Sequence, residues 1–328
     1  MEINWEPLNE IIETNRRFVL SSHVRPDADA IGSELGMANL LEELDKTVTI
    51  VNPSNVPSNL AFLDPDKRIK KLGDGITIDA VCDNDVHIVL DTSAWAQLVD
   101  VGHALRKTKA VKVVIDHHVS ADDLGALEFK NTVAEATGAL VFQFAQHAGI
   151  PIQKQVAHWL YCAIATDTGW FRFSSTTSET MRIASQLIDS GAKPHLIYQM
   201  LYERDTVARI HLTGHVLART KVDCNGKLAY ICVKQDDFAQ TGAVPADTED
   251  LVNECLRIAG AECAFIAIEQ KNRQVKVSFR SKTDVNVATI AEQFGGGGHK
   301  QAAGAILPGP LADALPRVLT AFTTALDH

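Results

Sequence analysis

No apolar run in this 328-residue chain is long enough to span a bilayer, so a helical membrane protein is not expected. The opening stretch MEINWEPLNEIIETNRRF has acidic residues where a secretory leader needs a basic start and an apolar core, so no such leader is expected. None of the six cysteines forms a C-x-x-C pair, which disfavours structural zinc, and nothing in their spacing asks for an oxidising compartment. Basic charge is in deficit: 31 Lys and Arg stand against 41 Asp and Glu, a net charge of -10. A protein that coats long nucleic acid draws its affinity from phosphate neutralisation and needs the opposite balance. There is no internal repeat, and no low-complexity tract beyond four consecutive glycines at 295–298. What remains is an ordinary globular composition, 46% hydrophobic and 22% charged, with length enough for two domains and an expected cytoplasmic location.

The chain is organised around residues 19–32, VLSSHVRPDADAIG. An apolar β-rich run (Phe18, Val19, Leu20) leads into an amphipathic helix (Ile31, Leu35, Ala38, Leu41), which leaves His23, Asp27 and Asp29 in the turn between them. Further apolar strands are expected at 48–51, at 86–90 ending in Asp91, and at 111–115 ending in Asp116, His117 and His118. Helical stretches at 134–147 and 155–165 follow, the second ending at Thr166-Asp167-Thr168-Gly169. Strands apolar on both faces and alternating with helices predict a doubly wound, mainly parallel α/β domain.

Near Gly191 the composition shifts, and residues 194–219 read as helix or connector. Beyond them hairpins dominate, one turned by Asn225-Gly226 and one by Lys271-Asn272-Arg273. In the strand at 274–280, Val275, Val277 and Phe279 share one face while Lys276, Ser278 and Arg280 share the other. A short helix capped by Asn286 runs into the glycines, and a last helix is expected over 311–326. The second domain is therefore a smaller α/β unit.

The chemistry lies in the strand ends. Asp27 with Asp29, Asp91, the triplet Asp116-His117-His118, and Asp167 are all expected on one rim of one sheet. Each alone reads as a turn, cap or surface residue; together they would repel strongly unless cations neutralised them. Carboxylate and imidazole without thiolate suits Mn²⁺, with Mg²⁺, Co²⁺ or Fe²⁺ as substitutes. The donors suffice for two ions, and a pair about 3.5–4 Å apart would activate water for in-line attack at phosphorus. Phosphate-ester hydrolysis is the reaction these residues point to.

SSHVRPDADAIGSE, LDT at 90–92, DHH at 116–118, ATDTG at 165–169 and FGGGGHKQAAG at 294–304 occur in order. With them the chain resembles the DHH/DHHA1 phosphoesterases, and within these the nanoRNase group of bifunctional oligoribonucleases and 3′-phosphoadenosine 5′-phosphate phosphatases. The resemblance implies a DHH metal-binding domain at 1–190, a helical linker at 191–215 and a DHHA1 substrate-binding domain at 216–328, with the active site in the cleft between them. It makes His23, Asp27 and Asp91 the ligands of one ion and Asp29, Asp91, His117 and Asp167 those of the other, with Asp91 as the bridge. His118 would reach the scissile phosphate and Asp116 would orient its neighbours. The position between the two aspartates of the first motif, often Gly in the family, is Ala28 here.

The glycine run is neither a Rossmann fingerprint nor a P-loop, and alone would read as a flexible connector. The resemblance assigns it to substrate: Gly297 and Gly298 would offer N–H groups to a phosphate, His299 would contact phosphate or sugar, and Arg280, Ser278 and Lys282 would hold a non-scissile phosphate. The implied activity is trimming of short RNA oligonucleotides to mononucleotides, together with removal of the 3′-phosphate from 3′-phosphoadenosine 5′-phosphate. The implied partners are short RNA or small nucleotides, neither long nucleic acid nor a membrane, and a second copy of the chain in a homodimer. Three other readings stay open: a phosphodiesterase for cyclic or linear dinucleotides, a processive RecJ-like exonuclease, for which no OB-fold-like strand-binding region is visible, and a non-catalytic nucleotide-binding regulator.

Overall fold

The computed structural model describes residues 3–326, except for the side chain of His299, and the chain divides into two units, Met1–Arg204 and Asp205–His328. In the first unit the elements run α1 (Glu6–Thr14), β1 (Arg17–Ser21), α2 (Ala28–Glu43), β2 (Thr47–Asn52), β3 (Ile69–Lys71), α3 (Ile78–Cys82), β4 (Val86–Leu90), α4 (Trp95–Lys107), β5 (Val111–Asp116), β6 (Leu127–Lys130), α5 (Thr137–His147), α6 (Lys154–Asp167), α7 (Ser178–Asp189) and α8 (Pro194–Tyr202). The six strands form one sheet in the order β3-β2-β1-β4-β5-β6, and every pairing is parallel.

Strand side chains alternate between two covered faces. Phe18, Leu20, Ile88, Leu90 and Ile115 are fully buried beneath Leu35 of α2, Leu140 of α5 and Leu160 of α6. On the other face Val19 meets Val81 of α3 and Ala104 of α4, while Val89 and Val114 meet Leu98 and Leu105 of α4. This is the doubly wound sheet expected from the apolar strands. The strands that escaped sequence reading are β3 and β6, which are three and four residues long and sit at the two edges, where little of a strand need be apolar.

From β1 the chain steps outward to β2 and β3, then crosses back so that β4 lies on the other side of β1. Such a reversal opens a crevice beyond the carboxyl ends of the two central strands, because their outgoing connections diverge. His23, Asp27 and Asp29 follow β1 and Asp91 follows β4, so the crevice is where the sequence concentrates its carboxylates.

The second unit holds α9 (Val207–Leu217), β7 (Lys221–Asp223), β8 (Leu228–Val233), α10 (Gln235–Thr241), α11 (Leu251–Cys255), β9 (Cys263–Glu269), β10 (Gln274–Ser281), α12 (Val287–Glu292), β11 (Gly297–His299), β12 (Ala302–Pro308) and α13 (Leu311–Leu326). Its sheet runs β11-β12-β10-β9-β8-β7, antiparallel except for the β8–β9 pair, whose crossover carries α10 and α11. Phe265 stacks on Phe322 of α13 and Phe279 meets the same ring edge-on on one face, and Ile266 and Ile268 join Leu212 and Val216 of α9 on the other. Among the described residues no helix is long and apolar enough to cross a membrane.

Candidate metal and catalytic site

Asp27 caps the N-terminus of α2: its Oδ1 accepts hydrogen bonds from the Asp29 and Ala30 N–H groups at 3.0 Å each. In the first turn of the helix, Asp29 is buried and accepts from the backbone N–H groups of Thr137 (2.7 Å) and Gly138 (2.8 Å) and from the Ser33 hydroxyl (3.1 Å). The start of α5 is thus tied to the start of α2 through one carboxylate. Asp91 leaves β4 with φ of 62°, in the left-handed region that few non-glycine residues visit. Its N–H donates to the Ile115 carbonyl (3.0 Å) and its Oδ1 accepts from the Thr137 hydroxyl (2.9 Å), contacts that hold the unusual backbone in place.

The imidazoles converge on these carboxylates. His23 Nε2 lies 3.4 Å from Asp91 Oδ2 and 3.9 Å from Asp27 Oδ1. His117 Nε2 lies 3.5 Å from Asp91 Oδ1, 3.5 Å from Asp167 Oδ2 and 3.7 Å from Asp29 Oδ2. The two oxygens of Asp91 therefore face two different histidines. Each ring also places its Nδ1 3.1 Å from a backbone carbonyl, that of Val24 for His23 and that of Ala134 for His117. A carbonyl only accepts, so Nδ1 carries a proton, and the neutral form of each ring would present the Nε2 lone pair to the cluster.

His23, Asp27 and Asp91 form one group whose donor atoms lie within 4.8 Å of one another; Asp29, His117 and Asp167 form a second and Asp91, His117 and His118 a third. Among the described residues the ion pairs of Asp27, Asp29, Asp91 and Asp167 are with histidines alone. Burial pushes the Asp91 carboxyl well above its ordinary range, and the charges of Asp29, Asp27 and Asp167 add to this against the Thr137 hydrogen bond. Burial, then Asp29, push Asp167 up to about 7. Asp91 and Asp167, which resist ionisation, together with Asp27, Asp29 and two imidazole nitrogens form a donor set that fits a divalent cation, whose charge would reverse the penalty on the two raised carboxyls.

Asp116 is of another kind. Fully buried at the end of β5, it accepts from the Ser93 hydroxyl (2.6 Å), from the N–H (3.1 Å) and Nδ1 (2.9 Å) of His118, and pairs with the Lys130 ammonium (3.0 Å). Burial alone would raise its pKa, but these bonds hold it well below the usual carboxylate range. The Asp116 hydrogen bond in turn raises His118, which is half-exposed. Sequence reading missed Ser93, Lys130 and Thr137. Lys130 faces Asp116 only through the β5–β6 register, which pairs these two residues, and β6 itself had no apolar signature.

In the second unit Ser278 and Arg280 share one face of β10 and line a cavity of about 210 Å³ with Lys276, Thr248 and Glu249. Lys282 lies past the end of β10 and its ammonium donates to the Leu256 carbonyl (2.9 Å). The glycine run forms β11 on the edge of the sheet, with Gly297 opposite Gly304 and Gly298 opposite Ala303. A Cβ at Gly298 would come within 2.6 Å of the Ala302 carbonyl oxygen, whereas one at Gly297 would meet nothing. Pairing with β12 thus demands glycine at 298, and Gly297 faces open space. The side chain of His299 lies outside the described residues.

Residues 17–164 match the DHH family N-terminal domain and residues 225–327 match the DHHA1 domain. The chain is 30% identical to the bifunctional oligoribonuclease and PAP phosphatase NrnA of Thermus thermophilus, with 99% of this chain and 96% of that protein covered. It is 28% identical to the protein of the same name from Bacillus subtilis, with 88% of each covered. Among solved structures, an exopolyphosphatase-related protein from Bacteroides fragilis superposes with a TM-score of 0.90 at 27% identity, covering 98% of this chain and 97% of that one.

Proposed function

Because this chain belongs to the DHH family, as a metal-dependent phosphoesterase with a DHHA1 domain, we propose that it hydrolyses short RNA oligonucleotides to mononucleotides and removes the 3′-phosphate from 3′-phosphoadenosine 5′-phosphate. The observation that carries the reading is the division of Asp91 between two imidazoles, with Oδ2 toward His23 and Oδ1 toward His117. In this reading His23, Asp27 and Asp91 would hold one ion, Asp29, Asp91, His117 and Asp167 would hold a second, and manganese suits the mixed oxygen and nitrogen donors. When bound, the ions would supply a water acidified to near neutral pH and positive charge for the phosphate oxygens.

The protein's own groups do the rest. Asp116 stays ionised and holds His118 through Nδ1, which leaves His118 Nε2 to give a proton to the departing sugar oxygen as the water oxygen bonds to phosphorus and the P–O bond breaks. The raised pKa of His118 keeps that proton available near neutral pH. Ser278, Arg280, Lys282, Gly297, Gly298 and His299 are proposed to hold the substrate's second anionic group, which selects small substrates carrying one. The net charge of -10 disfavours long strands, as does the relatives' oligoribonuclease name.

The test is a time course on labelled RNA of two to five nucleotides, a 24-nucleotide RNA, 3′-phosphoadenosine 5′-phosphate and a cyclic dinucleotide, with Mn²⁺ or chelator, alongside Asp91→Ala. The short oligomers should fall to mononucleotides with Mn²⁺ and wild-type protein only, while the 24-mer persists. Cleavage of the cyclic dinucleotide alone, or of the 24-mer as fast as the dimer, would contradict the reading.

A further inference from the structure

Immediately after Asp167 the backbone does something costly. Gly169, Trp170 and Phe171 take φ values of 56°, 60° and 62° in succession, and for Trp and Phe the left-handed region is sterically unfavourable. The turn is fixed from several sides. Trp170 N–H donates to the Ala165 carbonyl (2.6 Å), Phe171 N–H to the Thr168 hydroxyl (3.0 Å), and both Arg172 and Phe173 N–H groups to the Thr168 carbonyl (3.0 Å each). Strain held this firmly beside a functional cluster asks what it positions.

Trp170 and Phe171 are turned into an aromatic cluster with Tyr161 and Tyr198. Among the described ring contacts none joins Phe173 to that cluster. Its ring sits on Gly169, where a Cβ would lie 2.4 Å from Cζ, and yet 54% of the residue is exposed. An exposed phenylalanine is usually mobile; this one is seated on a glycine two residues from Asp167. Arg172 is anchored to the same glycine, its Nε donating to the Gly169 carbonyl (2.7 Å), and its guanidinium lies 5.9 Å from the Phe173 ring centre. Among the described residues no carboxylate pairs with Arg172.

We propose that the Phe173 ring, flanked by Arg172, is a stacking shelf for the base of the nucleotide whose phosphate reaches the acidic cluster. A π-face accepts any base, so the shelf would add affinity without sequence preference, and the neighbouring cation would attract the attached phosphate. The inference rests on the nucleotide-substrate reading above, and its test separates the two.

Full-length protein and its Phe173→Ala, Phe173→Leu and Phe173→Trp variants are mixed rapidly, in Mg²⁺, with a 2-aminopurine dinucleotide and with its abasic analogue. Fluorescence quenching and Kd are read for the first and competition for the second. Ala and Leu should raise Kd for the base-bearing ligand roughly five- to a hundred-fold and abolish quenching, Trp should keep both, and the abasic analogue should bind all four proteins alike. Leu keeps the apolar contact with Gly169, so wild-type Kd and quenching in Phe173→Leu would overturn the shelf, as would equal weakening of the abasic ligand. If wild-type protein shows the stacking pattern but cleaves no RNA, the substrate reading fails and the shelf stands.

Discussion

At Asp116 four hydrogen-bonded or charged contacts stabilise one buried carboxylate, so its loss should be felt in folding before it is felt in chemistry. Asp116→Asn removes the counter-charge of Lys130, leaving its ammonium only the Ser93 hydroxyl and the Ser120 carbonyl, and should cost roughly 3–5 kcal/mol in urea unfolding. Glu34 presents the opposite case. Fully buried in α2, it is pushed up to about 8 by burial, against a hydrogen bond donated by Asn52 (2.8 Å), and its Oε1 has no partner. The native state therefore holds a proton that the unfolded chain releases above about pH 4.5. Stability should be greatest below that pH and fall by up to about 1.4 kcal/mol per pH unit until near pH 8. Glu34→Gln keeps the acceptor for Asn52 and should remove the slope, so its melting temperature should exceed that of wild-type at pH 8 and match it near pH 5. The cluster residues His23, Asp27, Asp29, Asp91, His117 and Asp167 were legible because each follows a readable strand or ends a readable helix. Ser93, Lys130 and Thr137 were not, because their contacts depend on register and on how helices meet.

Asp27 belongs to an element as well as to the cluster, since it closes the open end of α2. Asn caps a helix about as well as Asp but is a poorer cation ligand. Asp27→Asn should hold its stability in chelator to within a few tenths of a kcal/mol and lose much of the gain that Mn²⁺ gives, whereas Asp27→Ala should lose about 1 kcal/mol in chelator as well. Thermal melts with and without Mn²⁺ distinguish the two. At this scale the long buried strands β1, β4 and β5 announced themselves as apolar runs. The left-handed turn at 169–171 did not, because Trp and Phe carry no preference for that conformation and only the surrounding hydrogen bonds impose it. The glycine run was legible as special but for a different reason: Gly298 is demanded by the approach of β12.

For the molecule as a whole, a strand order that reverses beside β1 and a net charge of -10 act together: the sheet gathers carboxylates at one crevice, and cations are needed to offset them. Divalent metal should therefore raise the melting temperature as a ligand bound only by the native state, and chelator should lower it. The division of Asp91 between two imidazoles is the centre of the account, and electron paramagnetic resonance of metal-stripped protein titrated with Mn²⁺ tests it most directly. Two ions per chain with an exchange-coupled spectrum, reduced to uncoupled signal in Asp91→Asn, is the expected result. A single ion at saturation, or coupling that survives Asp91→Asn, would contradict it.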